Sequence, residues 1–249
     1  MSKYKLGFIS DNQILAHVKQ TVEHYRFDTN LDTFNKNLID PIKMTFDSKV
    51  YGFDIEKGIQ NEVLRQVDKT NSNLIGFFHQ NIFRHIHSDW SVPKLGFDIV
   101  NYSKSIFVEI KNKHNTMNSG AAQKVYISMQ NQLLKNQSSV CMLVEVVAKK
   151  SQNIPWVVSV NGKSMKNKNI RRVSIDKFYE LVTGDELAFK KLCQQLPVII
   201  EDAVRTTQSR QSTNTVIEEL KQYSKNTLES LYLMSFDKYQ GFDDFQLKS

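Results

Sequence analysis

The amino-acid sequence predicts an α/β protein, a central sheet backed by helices. Three observations carry that expectation. Apolar residues recur at helical spacing up to Trp90 and again after Ile175. Between them, two short β-rich stretches flank Ser103-Lys104, and Val140–Val147 is an almost unbroken apolar run. Helix, strand, strand, helix, strand is the order of a sheet with helices packed on it.

Each element has a local reason. Ser10 with Gln13 three residues later has the form of a capping box. Ile14, Leu15, Val18, Val22 and Tyr25 follow at helical spacing. Pro41 suits the first turn of a further helix. Ile59, Val63, Leu64 and Val67 mark a helix near residues 55–69, and Ser72 is placed to cap the next, with Ile75, Phe78, Ile82, Phe83 and Ile86 as its buried stripe. Residues 96–102 and 105–112 are β-rich and form a hairpin signal. Ser119 is placed to cap a helix carrying Val125, Met129, Leu133 and Leu134. Val140–Val147 reads as a strand buried on both faces, and residues 155–160 as another. From Ile175 the chain is helical again. One helix over 186–204 is expected to kink at Pro197, and a last amphipathic helix covers 212–234. The tail from about Asp237 is polar and expected to be loose. With no internal repeat, one domain over 1–249 is the simplest organisation: a helical part to residue 70, a core over 71–162, and a mostly helical part from 163.

Of the 249 residues, 40% are hydrophobic and 24% charged, a balance that suits a water-soluble globular chain. The net charge of +7 favours a polyanionic partner, though only weakly. Cys141 and Cys193 both sit in apolar runs, where buried reduced thiols are expected. Neither has a companion at zinc-finger spacing. The amino terminus leads into no long apolar segment, and no run approaches the roughly 20 residues of a membrane span. A cytoplasmic protein is expected.

The chemistry concentrates at Gly96-Phe97-Asp98, followed ten residues later by Glu109-Ile110-Lys111. A hairpin brings the two carboxylates and the lysine together. Along a strand Glu109, Lys111 and Lys113 share one face, while Val108 and Ile110 point to the core. Two acidic oxygens suit Mg²⁺, and a lysine beside them can orient a water or neutralise a phosphate oxygen. From spacing alone, a strand-end salt bridge fits equally well. Each half also recurs in isolation, at Asp47-Ser48-Lys49 and Glu219-Leu220-Lys221, and at Gly52-Phe53-Asp54 and Gly241-Phe242-Asp243. Only at 98–111 do both halves lie on consecutive expected strands.

This arrangement resembles the PD-(D/E)XK nucleases: a mixed central sheet flanked by helices, here with helical additions at both ends. Asp98 matches the first acid, although Pro93 is not adjacent to it. Glu109-Ile110-Lys111 matches the second half. The resemblance implies that Asp98, Glu109 and the Ile110 carbonyl bind Mg²⁺ and that Lys111 positions the attacking water. Longer blocks resemble a family of bacterial type II restriction endonucleases whose better-known members cut GG-N-CC. They are residues 46–52, 75–83, 108–119 and 174–184. The resemblance implies double-stranded DNA as substrate, cleavage leaving 5′-phosphate ends, and a companion methyltransferase in the host. Two-fold symmetric DNA further suggests a homodimer.

Around the motif, Gln80 and Glu62 are candidate accessory residues, although Gln80 is an amide, a weaker cation ligand, and reads more readily as an exposed helix polar group. Lys113 shares the face of Glu109 and is a candidate phosphate contact. His114, Asn115, Asn118 and Ser119 form a polar loop before a helix whose N–H groups can take a phosphate, and Gln123 and Lys124 continue its polar side. Lys163, Lys166, Lys168, Arg171 and Arg172 form the densest basic run. Such a run is ordinarily a solvated loop, but Arg171 and Arg172 suit guanine readout. Trp156 is expected in the core. Two rival functions remain at this level: a repair or recombination nuclease of the same fold, and a non-catalytic DNA-binding protein.

Overall fold

The computed structural model describes residues 2–37, 39–207, 212–236, 238, 239, 242 and 245–247. From the amino terminus it forms α1 (Asp11–Glu23), β1 (Asp28–Thr29), α2 (Leu31–Asn35), α3 (Pro41–Tyr51) and α4 (Ile55–Ile86). Then come β2 (Ile99–Asn101), β3 (Ile106–Lys113), α5 (Ser119–Lys135), β4 (Val140–Val147), β5 (Asn153–Val160) and β6 (Lys163–Ser174). They are followed by α6 (Ile175–Thr183), α7 (Ala188–Thr206), β7 (Thr213–Asn214), α8 (Val216–Tyr223) and α9 (Thr227–Phe236). Contacts group the chain into two compact units, residues 1–24 with 74–208, and residues 25–73 with 209–249.

The first unit holds a mixed five-stranded sheet in the order β2-β3-β4-β6-β5. The β3/β4 and β4/β6 pairs are parallel, and the two outer pairs are antiparallel. Parallel β3 and β4 need a crossover, which α5 supplies. One sheet face carries Val108, Ile110, Met142, Val144 and Val173 against Ile14, Phe78, Phe83, Phe178 and Leu192 of the helices. The other carries Cys141, Leu143, Trp156 and Ile170 against Tyr126, Met129 and Leu133 of α5. Fully burying side chains such as Phe83 and Ile82 contributes about 1.5–3 kcal/mol each. The second unit packs Leu31, Phe34, Ile59, Val63, Val216, Leu220 and Leu231 together, with β1 paired to β7.

Local signals explain most boundaries. The Ser10–Gln13 capping box forms, and Pro41 occupies the first turn of α3 behind Asp40. Other expectations are corrected. The two helices expected over 55–86 are one, α4, and Ser72 lies inside it. Residues 70–73 (Thr-Asn-Ser-Asn) are weak helix formers, but each costs only a fraction of a kcal/mol, and no proline interrupts them. Asn118, not Ser119, caps α5, accepting from Ala121 N at 2.8 Å. The basic run is not a loop but most of β6. Its hairpin with β5 turns at Asn161-Gly162, both left-handed at φ 50° and 77°, the conformation an Asn-Gly pair favours.

The single helix expected over 212–234 is β7 and two helices instead. The first helix ends at Tyr223, after which Ser224 is extended, and Asn226 starts the second, its side chain accepting from Leu228 N at 3.0 Å. Cys141 is buried as expected, whereas Cys193 is exposed on α7. Trp156 is in the core. The polar tail lies for the most part outside the described residues. No helix among the described residues is long and apolar enough to cross a membrane.

Candidate active site

The antiparallel register pairs Ile99 with Val108 and Val100 with Phe107. Continued one step, it sets Asp98 across from Glu109. The Asp98 carboxylate accepts the Ile110 backbone N–H through Oδ2 at 2.7 Å. That bond ties the acid at the start of β2 to the strand that bears the second acid. Alternation does the rest: Val108 and Ile110 are buried, while Glu109 and Lys111 emerge together on the opposite face. Lys111 Nζ donates to Glu109 Oε1 at 2.7 Å.

Electrostatics make this a stressed group of charges. Burial raises the Asp98 pKa, and the Glu109 charge raises it further, against the Ile110 N–H and Lys111. A cation shared by both carboxylates relieves that repulsion. The oxygens fit a hard divalent ion, and Asp98 Oδ1 is not used by the Ile110 bond. Among the described residues no three His, Cys, Asp or Glu side chains converge on one point. Two carboxylates alone leave ligand positions on a bound ion for other oxygens.

The other expected residues lie on several elements. Lys113 is exposed at the end of β3. Asn115 turns the chain at φ 55°. Asn118 and Ser119 begin α5, which continues through Gln123 and Lys124. Gln80 is half-buried on α4. Glu62 belongs to the second unit, where Arg65 holds it at 2.6 Å. Arg171 and Arg172 are neighbours on β6, so they point to opposite faces. Arg171 is bound back to its own hairpin through Asn153 and Lys168.

One residue escaped the sequence reading. Glu145 is the register partner of Lys111 on β4 and is only 1% exposed. His114 and Arg172 both contact its carboxylate. The available signal was a lone charge inside the apolar run Val140–Val147, which demands partners when buried.

A mixed sheet with helices on both faces, carrying an acidic pair and a lysine at one hairpin, is an α/β architecture compatible with a nuclease core. The comparisons agree with it. The model of the Eco47II restriction endonuclease family matches residues 6–205. The chain is 28% identical over 238 residues to the type II restriction enzyme Sau96I of Staphylococcus aureus, covering 90% of this chain and 91% of that protein. It is 31% identical over 210 residues to the type II restriction enzyme Eco47II of Escherichia coli, covering 79% and 87%. This chain belongs to the Eco47II restriction endonuclease family and so to the type II restriction enzymes, which are site-specific deoxyribonucleases.

Proposed function

We propose that this enzyme cuts both strands of DNA at GG-N-CC in a Mg²⁺-dependent reaction, on a core of the PD-(D/E)XK type. The observation that carries the chemistry is the Asp98–Ile110 N–H bond, which holds Asp98 against Glu109 with Lys111 at hand. Asp98, Glu109 and the Ile110 carbonyl hold the metal. When bound, Mg²⁺ supplies charge neutralisation at the scissile phosphate and a lower pKa for the attacking water. Lys111 orients that water for in-line attack, with the 3′-oxygen leaving and a 5′-phosphate end produced. Glu109 in turn keeps the lysine ammonium on the working face.

Recognition of GG-N-CC rests on the family resemblance and on the basic excess of the chain. Lys113 of β3, the 114–119 loop that follows it, and Gln123 and Lys124 of α5 are offered as its DNA contacts. Gln80 and Glu62 are the weaker nominations, since Glu62 already has Arg65 as its partner. A two-fold symmetric site is matched by a homodimer with one active site per strand. The enzyme works in the bacterial cytoplasm, with a methyltransferase protecting host DNA. Digesting plasmid DNA with and without Mg²⁺, then sequencing the ends, tests the whole reading. Discrete fragments ending within GG-N-CC are expected. Random nicking would refute the site, and cleavage in chelator would refute the metal.

A further inference from the structure

Beside Lys111 lies a buried carboxylate that the cleavage chemistry does not use. Glu145 is paired in register with Lys111 on one side and Ser174 on the other. Burial alone disfavours its charge, but hydrogen bonds from Arg172 and His114 outweigh that and hold its pKa below the usual range. A buried charge kept ionised in this way fixes the groups that pair with it.

The partners show which donors are left over. Arg172 Nε donates to Glu145 Oε2 at 3.0 Å, and Nη2 donates to Oε1. Nη2 also lies 2.6 Å from His114 Nδ1, which stands 3.0 Å from Glu145 Oε2. The carboxylate oxygens at 3.0 and 3.1 Å can only accept, so Nδ1 donates to Glu145, and Arg172, which can only donate, meets the ring without a hydrogen bond to it. Arg172 Nη1 and His114 Nε2 make no hydrogen bond among the described residues. Both side chains keep some exposure, 21% for Arg172 and 17% for His114.

This count separates two ways of meeting DNA. Guanine readout uses a fork of two nitrogens on O6 and N7. Here the Nε/Nη2 fork is closed on Glu145. What remains is one arginine nitrogen, Nη1, which suits a phosphate oxygen. We propose that Glu145, braced on its other side by His114, is a positioning residue that holds Arg172 as a seat for one DNA backbone phosphate beside Lys111. The inference rests on the reading of this chain as a DNA-cleaving enzyme.

The test is binding of the full-length protein to a GG-N-CC duplex and a scrambled duplex across a salt series, with plasmid cleavage run in parallel. Arg172→Lys keeps the charge and the pairing with Glu145 but loses the fork. It is expected to weaken binding about tenfold on both duplexes, the worth of one charge-assisted hydrogen bond. Glu145→Gln removes a negative charge, which by charge alone would tighten binding; weaker binding on both duplexes is expected instead. The double variant should bind no more weakly than Arg172→Lys alone, because both act through one phosphate.

Unchanged affinity in Arg172→Lys, a loss confined to the GG-N-CC duplex, or tighter binding by Glu145→Gln would each overturn the proposal. Should Glu145→Gln fail to fold, His114→Gln replaces it. A several-fold loss on both duplexes supports the seat, and wild-type affinity refutes it. A wild-type protein that neither binds nor cuts DNA sinks the nuclease reading as well. One that cuts normally beside an unaffected Arg172→Lys sinks this inference alone.

Discussion

The Asp98 carboxylate accepts the Ile110 backbone N–H at 2.7 Å, so the first acid of the site is fastened to the strand that presents the second. One oxygen serves the fold and the other is left for chemistry. Substitutions can separate the two roles. Asp98→Asn keeps an oxygen to accept the Ile110 N–H but removes the charge. It should fold with near wild-type stability and lose cleavage by on the order of a thousandfold or more. Asp98→Ala should lose cleavage equally and stability by about 1–3 kcal/mol, since the buried N–H is stranded. Denaturant melts and plasmid cleavage on the same preparations check both. Normal cutting by Asp98→Asn would end the proposed mechanism.

Lys111 pairs with Glu109 at 2.7 Å, and its proposed task is in the transition state rather than in binding. Lys111→Ala should therefore reduce kcat by about a hundredfold or more while leaving most of the affinity for DNA. Single-turnover cleavage and an anisotropy titration distinguish the two quantities. A change in affinity alone would reassign the lysine to DNA binding.

Removing divalent metal should stop cleavage without unfolding the protein, because the Ile110 N–H and Lys111 partly offset the two acids on their own. Adding Mg²⁺ at about a hundredfold over its Kd should raise stability by about 2.7 kcal/mol. Asp98→Asn should lose most of that gain. Thermal melts with chelator and with Mg²⁺ measure it, and an identical gain in Asp98→Asn would place the ion elsewhere.

Acid should destabilise the first unit through two buried histidines. Burial pushes His17 down to about 4, and His79 likewise to about 4. His17 faces Phe78, His85 and Arg84, with no acid among them. A folded value below the unfolded value of about 6.5 means that protonation favours the unfolded chain. The stability is fully present above that value, falls as pH drops towards 4, and levels below it. Each histidine should cost about 2 kcal/mol by pH 5. Urea melts between neutral pH and pH 4 check this, and His79→Phe should remove about half of the slope. A flat profile would contradict it.

Much of the hairpin was legible because its information is local. Period-two alternation places Glu109 and Lys111 on one face whatever lies around them, and the strands carry the β-rich residues that such a turn needs. Residues 140–147 were legible as a buried strand for the same reason. The Asn161-Gly162 pair carries its own local hairpin signal, masked in the sequence by the run of lysines after it. The break expected near Ser72 failed because weak formers in a row delay a helix less than one proline does.

By itself the sequence determined the α/β class, the acidic pair with its lysine, and the family, since these depend on spacing along the chain. Only the tertiary structure decided which partners the isolated charges find. Glu145 reads as an anomaly in an apolar strand until β3 and β6 come to either side of it. Arg172 reads as a base reader until its fork is seen to close on that acid. Buried charge is settled by neighbours distant in sequence, because desolvation must be balanced across the sheet and not along the strand.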